Sequence, residues 1–288
     1  MSLDWSANSG ILLSERDFEY FRAFILEAAG IDLGPNKRAL VQSRLASRVR
    51  TFGCQTFTEY RSKLQRDDAA HEREQAINLL STNETYFFRE PQHFEWLRDK
   101  VRAIAAQRDA PVRIWSAACS TGEEPYTIAI TLAEALGLSS TWRVYATDIN
   151  TQVTRYAKRG VYPIARVQKT PQYLWQKYFQ HGSDEYEGKV RIKGSLQDRV
   201  DFSNINLLHC SKARERDFDV IFLRNVLIYF NDETKHQVIE QLCGKLVLGG
   251  HLLIGHAETL PQSRFPLVQE APSRYRLVRG QEPGKAYP

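Results

Sequence analysis

The chain has 288 residues, of which 42% are hydrophobic and 25% charged, with a formal net charge of +5 from 39 basic and 34 acidic side chains. At about 150 residues per domain this is one large domain or two smaller ones, and an apolar share near the globular norm of roughly 45–50% excludes wholesale disorder. No run of about 18 apolar residues exists, which excludes a membrane-spanning helix, and the first ten residues carry neither a basic start nor an apolar stretch, so no secretion signal is expected.

The first hundred residues read as helical. Ser14, followed by Glu15 and Asp17, is a candidate N-cap, and Phe18, Phe21, Phe24 and Ile25 recur at helical spacing until Gly30 and Gly34-Pro35. A second helix is expected around Val41, Leu45 and Val49, a third around Phe57, Tyr60 and Leu64, and a fourth over 71–80. Near Pro111 the pattern changes to alternating strands and helices. Val112–Ala118 has strand length and character, and a helix runs through Ile128, Ala129, Leu132 and Leu136. Arg143–Asp148 is a second strand, and Asn150 caps a helix to Lys158. This order implies a parallel sheet with crossover helices. Residues 161–200 interrupt it, with Pro163, Pro171, an aromatic cluster over 173–179 and a Gly182–Gly194 stretch that reads as a small β insertion. The alternation resumes with the strand Phe218–Leu223, a helix from about Asp232 to Leu246, Gly249-Gly250, a strand His251–Gly255 and a last edge strand at Arg276–Val278. Gly280–Pro288 reads as a frayed tail.

Ligands of open α/β sheets sit beyond the carboxyl ends of the strands, where strand order reverses. Three strand ends here carry polar groups. Ala118-Cys119-Ser120-Thr121-Gly122-Glu123-Glu124 turns into a helix whose free N–H groups suit an anion, but its single glycine supports a dinucleotide phosphate cradle only weakly, and acidic residues complementing a helix dipole explain it equally. Asp148 closes the second strand and suits the paired hydroxyls of a ribose, or else caps the next helix. Arg224-Asn225 ends the third, with Tyr229 nearby; an arginine after an apolar strand is costly to desolvate unless it is paired or functional. The four cysteines have no Cys-x-x-Cys spacing, which argues against a zinc cage or a disulfide scaffold, and Cys119 reads as a small side chain filling a tight turn. His251 and His256, flanking a strand, read as structural.

Four segments occur in order: Asn83-Glu84-Thr85-Tyr86-Phe87-Phe88-Arg89, Ala118 to Tyr126, Ala146-Thr147-Asp148-Ile149-Asn150, and Arg224-Asn225-Val226-Leu227-Ile228-Tyr229-Phe230. Together they resemble the chemotaxis receptor methyltransferase family, CheR, from about residue 15 to 280. The resemblance implies an α/β fold: a class I (Rossmann-like) methyltransferase domain at 111–288 with an antiparallel β subdomain inserted at about 161–200, a small all-helical N-terminal domain at 1–82, and an interdomain segment at 83–110 that contributes to the cofactor site. It implies methyl transfer from S-adenosylmethionine to glutamate side chains of chemotaxis receptors, giving a methyl ester and S-adenosylhomocysteine, in the cytoplasm and without a metal.

By motif position, Asn83, Thr85, Arg89, Glu123, Asp148, Asn206, Leu207, Arg224 and Asn225 are the expected cofactor contacts, and Arg89 and Tyr229 the residues nearest the reactive methyl. Lys37, Arg38, Arg44, Arg48 and Arg50 fall in a stretch without Asp or Glu, and Lys37, Arg44 and Arg48 share a narrow arc if the helix runs through them. A solvated face is the ordinary reading; the resemblance favours docking of the acidic methylation helices of a receptor at Lys37, Arg38, Arg44 and Arg48. In part of the family the β insertion captures a receptor C-terminal peptide; Asp184, where tethering members tend to have glycine, counts against that here. A carboxyl methyltransferase for another signalling protein and a non-catalytic S-adenosylmethionine-binding module are the alternatives. A nucleic-acid partner is not expected, because no Asp-Pro-Pro-Tyr-like motif is present and the basic residues lack interleaved aromatics.

Overall fold

The structure, a computed structural model, describes residues 11–261 and 264–278; the expectations for the first ten residues and for the Gly280–Pro288 tail lie outside the described residues. The chain divides into two compact units, Met1–Thr82 and Asn83–Pro288.

The first unit holds α1 (Glu15–Ala29), α2 (Arg38–Thr51), α3 (Phe57–Leu64) and α4 (Ala70–Leu80). Ser14 caps α1 by accepting from the Asp17 N–H, and Gly30, at φ +72, closes it in the left-handed region that a side chain disfavours. Phe18, Phe21, Ile25, Val41, Leu45, Val49, Phe57, Tyr60 and Leu64 are fully or almost fully buried, so the helical stripes of the sequence meet in one core. Lys37 is not part of α2: it ends a 3-10 turn, Pro35–Lys37, because Pro35 opens a turn there before the α-helix begins.

The second unit begins with α5 (Gln92–Gln107), a helix inside the stretch read from sequence as an interdomain segment; Phe94, Leu97 and Val101 form its buried stripe. The chain continues through β1 (Val112–Ser116), α6 (Glu123–Leu136), β2 (Trp142–Asp148) and α7 (Thr151–Arg159). The insertion comprises β3 (Val161–Pro163), α8 (Ile164–Val167), α9 (Gln172–Tyr178), β4 (Phe179–His181), β5 (Lys189–Ile192) and α10 (Gly194–Gln197). Its antiparallel sheet has the order β3-β5-β4, and the 173–179 aromatic cluster, placed only in an interruption by sequence, is mostly the short helix α9 that follows Pro171. Then come β6 (Val200–Asn204), β7 (Phe218–Leu223), α11 (Asp232–Cys243), β8 (Leu246–Ile254), β9 (Leu267–Ala271) and β10 (Arg274–Leu277).

The large sheet has the order β6-β2-β1-β7-β8-β10-β9. Its first five strands are parallel and β10 is antiparallel to both neighbours, a Rossmann-like methyltransferase fold. All six residues of β7 are buried, as a central strand covered on both faces requires. Three sequence expectations change here. The helix from Asp232 ends at Cys243 rather than Leu246, and β8 already starts at Leu246. Gly249, at φ +80, does not end an element but sits within β8, where the pairing with β7 shifts register between Phe218 and Val220. The strand near Arg276 is interior, and the edge is β9, which the sequence reading did not contain.

Candidate active site

Strand order reverses between β1 and β7, so the loops after β1, β2 and β7 converge on one rim. The turn after β1 is shaped by backbone geometry. Ser120 has φ +48 and Gly122 φ +96, and a Cβ on Gly122 would lie 2.7 Å from both Ala157 Cβ and Tyr162 Oη, so only glycine fits. Tyr162 Oη donates to the Thr121 carbonyl at 2.8 Å and braces the turn from the inserted subdomain.

Asp148 ends β2 with both carboxylate oxygens held by backbone: Oδ2 accepts from Ser120 N–H at 2.8 Å and Oδ1 from Asn150 N–H at 2.9 Å. Burial raises its pKa, and these backbone donors oppose the rise. Asn150 separately caps α7, accepting from Gln152 and Val153, so the capping role falls to Asn150 and leaves Asp148 to the turn. Ser120 Oγ donates to the Asn83 carbonyl at 3.0 Å, and Ile205 N–H donates to the Asp148 carbonyl at 3.2 Å, which brings the 83–89 segment and the chain leading to Asn206 to the same place.

Glu123, the first residue of α6, is 0% exposed. Its Oε2 accepts from Thr121 Oγ1 at 2.6 Å, while Oε1 is buried with no hydrogen-bond partner; Arg166 Nε stands 3.5 Å from Oε1. Burial raises the Glu123 pKa, opposed by Thr121 and Arg166. A buried carboxylate oxygen that receives no hydrogen bond is matched to a cationic donor.

At the end of β7, Arg224 is almost wholly buried. Its Nη1 donates to Glu124 Oε2 and its Nη2 to Glu90 Oε2, both at 3.0 Å, and Nη2 also donates to the Arg89 carbonyl. The desolvation cost of this arginine is therefore offset by two carboxylates and a carbonyl. Burial pushes Glu90 up, but Arg224, joined by the His256 N–H and the Asn225 amide, outweighs it and the Glu90 pKa falls below the ordinary value. Asn225, at φ +59, donates its N–H to Glu258 Oε2 at 2.8 Å and its Nδ2 to Glu90 Oε1 at 3.3 Å. Glu258 also accepts from Gly255 and Ile228, and so fixes the loops after β7 and β8 together. Tyr229 ends the 3-10 turn Leu227–Tyr229 and is half-buried.

Two family models match this chain: "CheR methyltransferase, SAM binding domain" over residues 83–273, and "CheR methyltransferase, all-alpha domain" over 16–81. The chain belongs to the CheR methyltransferase family. It is 39% identical over 278 residues to the chemotaxis protein methyltransferase of Salmonella typhimurium, covering 96% of this chain and 93% of that one. It is 40% identical over 261 residues to the Escherichia coli chemotaxis protein methyltransferase, covering 89% and 90%, and 41% identical over 246 residues to chemotaxis protein methyltransferase 2 of Pseudomonas aeruginosa, covering 85% and 87%. The second unit is thus the S-adenosylmethionine-binding domain of a CheR protein, and the first its all-α domain.

Within this CheR chain the expected cofactor residues fall into two groups. Asn83, Thr85, Glu123 and Asp148 gather around the β1 turn: the Asn83 carbonyl meets Ser120, and the Thr85 carbonyl accepts from Arg166 Nη1 at 3.0 Å. Asn206 caps the 3-10 turn Leu207–Lys212 by accepting from Leu208 N–H at 3.1 Å, with Leu207 buried beneath. Arg224 and Asn225 gather instead around Glu90, Glu124 and Glu258. The Arg224 side chain is engaged inside the protein and ties the Arg89 backbone to the end of β7. Arg89 itself is half-buried, donates to the Glu84 carbonyl at 2.9 Å and lies 5.9 Å over the Tyr86 ring. The sequence reading passed over Glu90, Glu258, Arg166 and Tyr162. Glu90 adjoins a quoted motif and gave some signal; the other three act across long sequence separations and gave none.

In the all-α domain, Arg48 pairs with buried Glu72, which also accepts from Tyr60 Oη at 2.7 Å, and Arg44 donates to the Leu80 carbonyl at 2.7 Å, to the Ser81 carbonyl and to Thr82. The face expected to meet a partner is therefore partly turned inward, because the C-terminus of α4 and the Glu72 carboxylate need cations. Lys37 and Arg38 are exposed, Arg38 sharing a 3.1 Å surface pair with Glu15. All four cysteines are buried and free, and burial pushes the Cys119 thiol far above its ordinary pKa, unsuited to nucleophilic attack. Among the described residues one group has metal-ligand spacing, Glu90, His93 and His256 within 4.8 Å. Its carboxylate already receives Arg224 and Asn225, and burial together with the Arg224 charge holds the His93 pKa at about 3.

Proposed function

We propose that this chain is a cytoplasmic protein-glutamate O-methyltransferase that converts glutamate side chains of methyl-accepting chemotaxis receptors to methyl esters, releasing S-adenosylhomocysteine. The observation that carries this reading is the match of both CheR models to one chain whose rim holds two fixed carboxylates, Asp148 and Glu123, at the sheet's switch point.

Asp148 keeps acceptor capacity beyond its two backbone bonds and suits ribose hydroxyls. Glu123 Oε1 is matched to the ammonium of S-adenosylmethionine. Asn83, Thr85, Arg89, Asn206, Leu207 and the Asn225 backbone complete the proposed enclosure. When bound, the cofactor supplies a methyl group on a sulfonium whose departing group is a neutral thioether. The acceptor needs no activation, because a glutamate with an ordinary pKa near 4.3 is already anionic at neutral pH. What remains for the protein is alignment and exclusion of water. Arg89 has donors beyond the one given to Glu84, and its backbone is fixed by Arg224; Tyr229 offers a hydroxyl from a turn anchored by Glu258. These two side chains orient the incoming carboxylate. No residue in this scheme uses a metal.

The acceptor is presented by an acidic receptor helix that meets the exposed Lys37 and Arg38. Asp184 stands at φ +53, a conformation that Asp tolerates and glycine adopts freely, so a receptor-tail site on the β subdomain is not closed off by the side-chain change. The test is incubation with methyl-labelled S-adenosylmethionine and receptor-containing membranes. Base-labile label on the receptors is the expected result. Label on another protein favours a different carboxyl acceptor, and cofactor binding without transfer favours a binding module; either outcome rejects the reading.

A further inference from the structure

We infer that Arg166 of the inserted subdomain is a positioning residue of the cofactor site: it holds Glu123 ionised for the cofactor's ammonium and ties Thr85 to it. This rests on the assignment of Glu123 proposed above.

Glu123 is 0% exposed, and its side chain receives one hydroxyl hydrogen bond, at Oε2. A carboxylate in that setting takes up a proton unless a cation stands near. Arg166 is that cation. It comes from α8, a single turn directly after β3, and its Nη1 is fixed by the Thr85 carbonyl at 3.0 Å. Its Nε then stands 3.5 Å from Glu123 Oε1. That spacing is close enough for Coulomb attraction, yet Oε1 makes no hydrogen bond and keeps its acceptor capacity unused. The same guanidinium therefore sets the charge of one wall of the site and the position of the other.

The remaining titratable groups facing Glu123 do not interfere. Tyr156 on α7, Tyr162 on β3 and Cys119 in the turn all interact with it electrostatically, and burial raises the pKa of each, so all three stay neutral around pH 7. Within the inserted subdomain, Tyr162 braces the turn through its hydroxyl and Arg166 does so through charge. An element absent from a plain doubly wound sheet thus grips the cofactor turn twice.

The test is calorimetric binding of S-adenosylmethionine and of 5′-methylthioadenosine, which lacks the ammonium, between about pH 5 and 7, below the range in which an α-amino group loses its proton. Arg166→Met is expected to weaken S-adenosylmethionine binding by about tenfold at the acid end of that range, the loss shrinking as pH rises and Glu123 ionises. Methylthioadenosine affinity is expected to stay within about twofold of wild type, since the loss of one surface-facing donor is worth only a fraction of a hydrogen bond. Arg166→Lys, which keeps the charge, should restore the wild-type pH profile. A loss that is equal for both ligands and independent of pH would overturn the proposal, as would wild-type binding by Arg166→Met. Glu123→Gln separates the two levels: if it weakens S-adenosylmethionine while Arg166→Met does not, the Arg166 role is wrong and the Glu123 assignment stands. Unchanged binding by Glu123→Gln removes both.

Discussion

Burial sets the charge state of the groups around the strand ends, and it acts in opposite directions on acids and bases. His93 is held at about 3 by burial and by Arg224, and His251 at about 4 by burial and by Lys100, both far below 6.5. A histidine with a depressed folded pKa is protonated first in the unfolded chain. Each therefore contributes stability above pH 6.5 that is lost as pH falls toward 4 for His251 and 3 for His93. The slope is about 1.4 kcal/mol per pH unit per histidine. The raised carboxyls of Asp148, Glu123, Glu124 and Asp219 act with the opposite sign, so the useful comparison is between variants. Denaturant titrations from pH 7 to 5 should show a shallower loss of stability in His93→Gln than in wild type; parallel curves would place His93 outside this effect. At Tyr229 the expectation is kinetic. Tyr229→Phe removes one orienting hydroxyl and should lower kcat about tenfold while cofactor affinity holds. Unchanged turnover would remove Tyr229 from the mechanism. Residues with local roles were legible from sequence, as Ser14 and Gly30 illustrate. Arg224 was legible as a costly arginine but not as a clamp, because its partners Glu90 and Glu124 lie 134 and 100 residues away in sequence.

At the level of elements, α2 carries two kinds of cation. Arg48 lies against Glu72, whose side chain is 3% exposed, so Arg48→Met leaves a buried carboxylate without its cation and should cost about 3 kcal/mol, read as a lower Tm. Lys37, on the turn ahead of it, and Arg38, its first residue, carry exposed charge. Reversing both should raise the receptor KM severalfold and increasingly so at low salt, while Tm and cofactor affinity stay at wild-type values. A fall in Tm comparable to that of Arg48→Met, or no change in KM, would count against docking there. The helical stripes of α1 to α4 were readable because one face of each is apolar at helical spacing. The distinction between the inward and outward arginines of α2 was not, because it depends on where α4 lies. The elements missed by periodicity have a common physical origin. The helices α8 and α10 are four residues long, below the length of one amphipathic repeat, and β9 belongs to an antiparallel edge with mixed burial rather than an apolar run.

On the scale of the molecule, the alternation of strands and helices from Val112 onward announced a parallel sheet, and the order β6-β2-β1-β7-β8-β10-β9 places its switch point at the ends of β1 and β7. The inserted subdomain interrupts that alternation between β2 and β6 and returns to the first turn through Tyr162 and Arg166. The proposed scheme thereby divides charge, cofactor contact and acceptor alignment among separate parts of one chain. The proposed acceptor is a receptor carboxylate. The most direct test is to methylate receptors in membranes with labelled cofactor, digest them, and locate the label by peptide mapping. Label on glutamates of cytoplasmic receptor helices, released as methanol by mild base, is the predicted result. Base-stable label, or label confined to proteins other than receptors, would contradict the account.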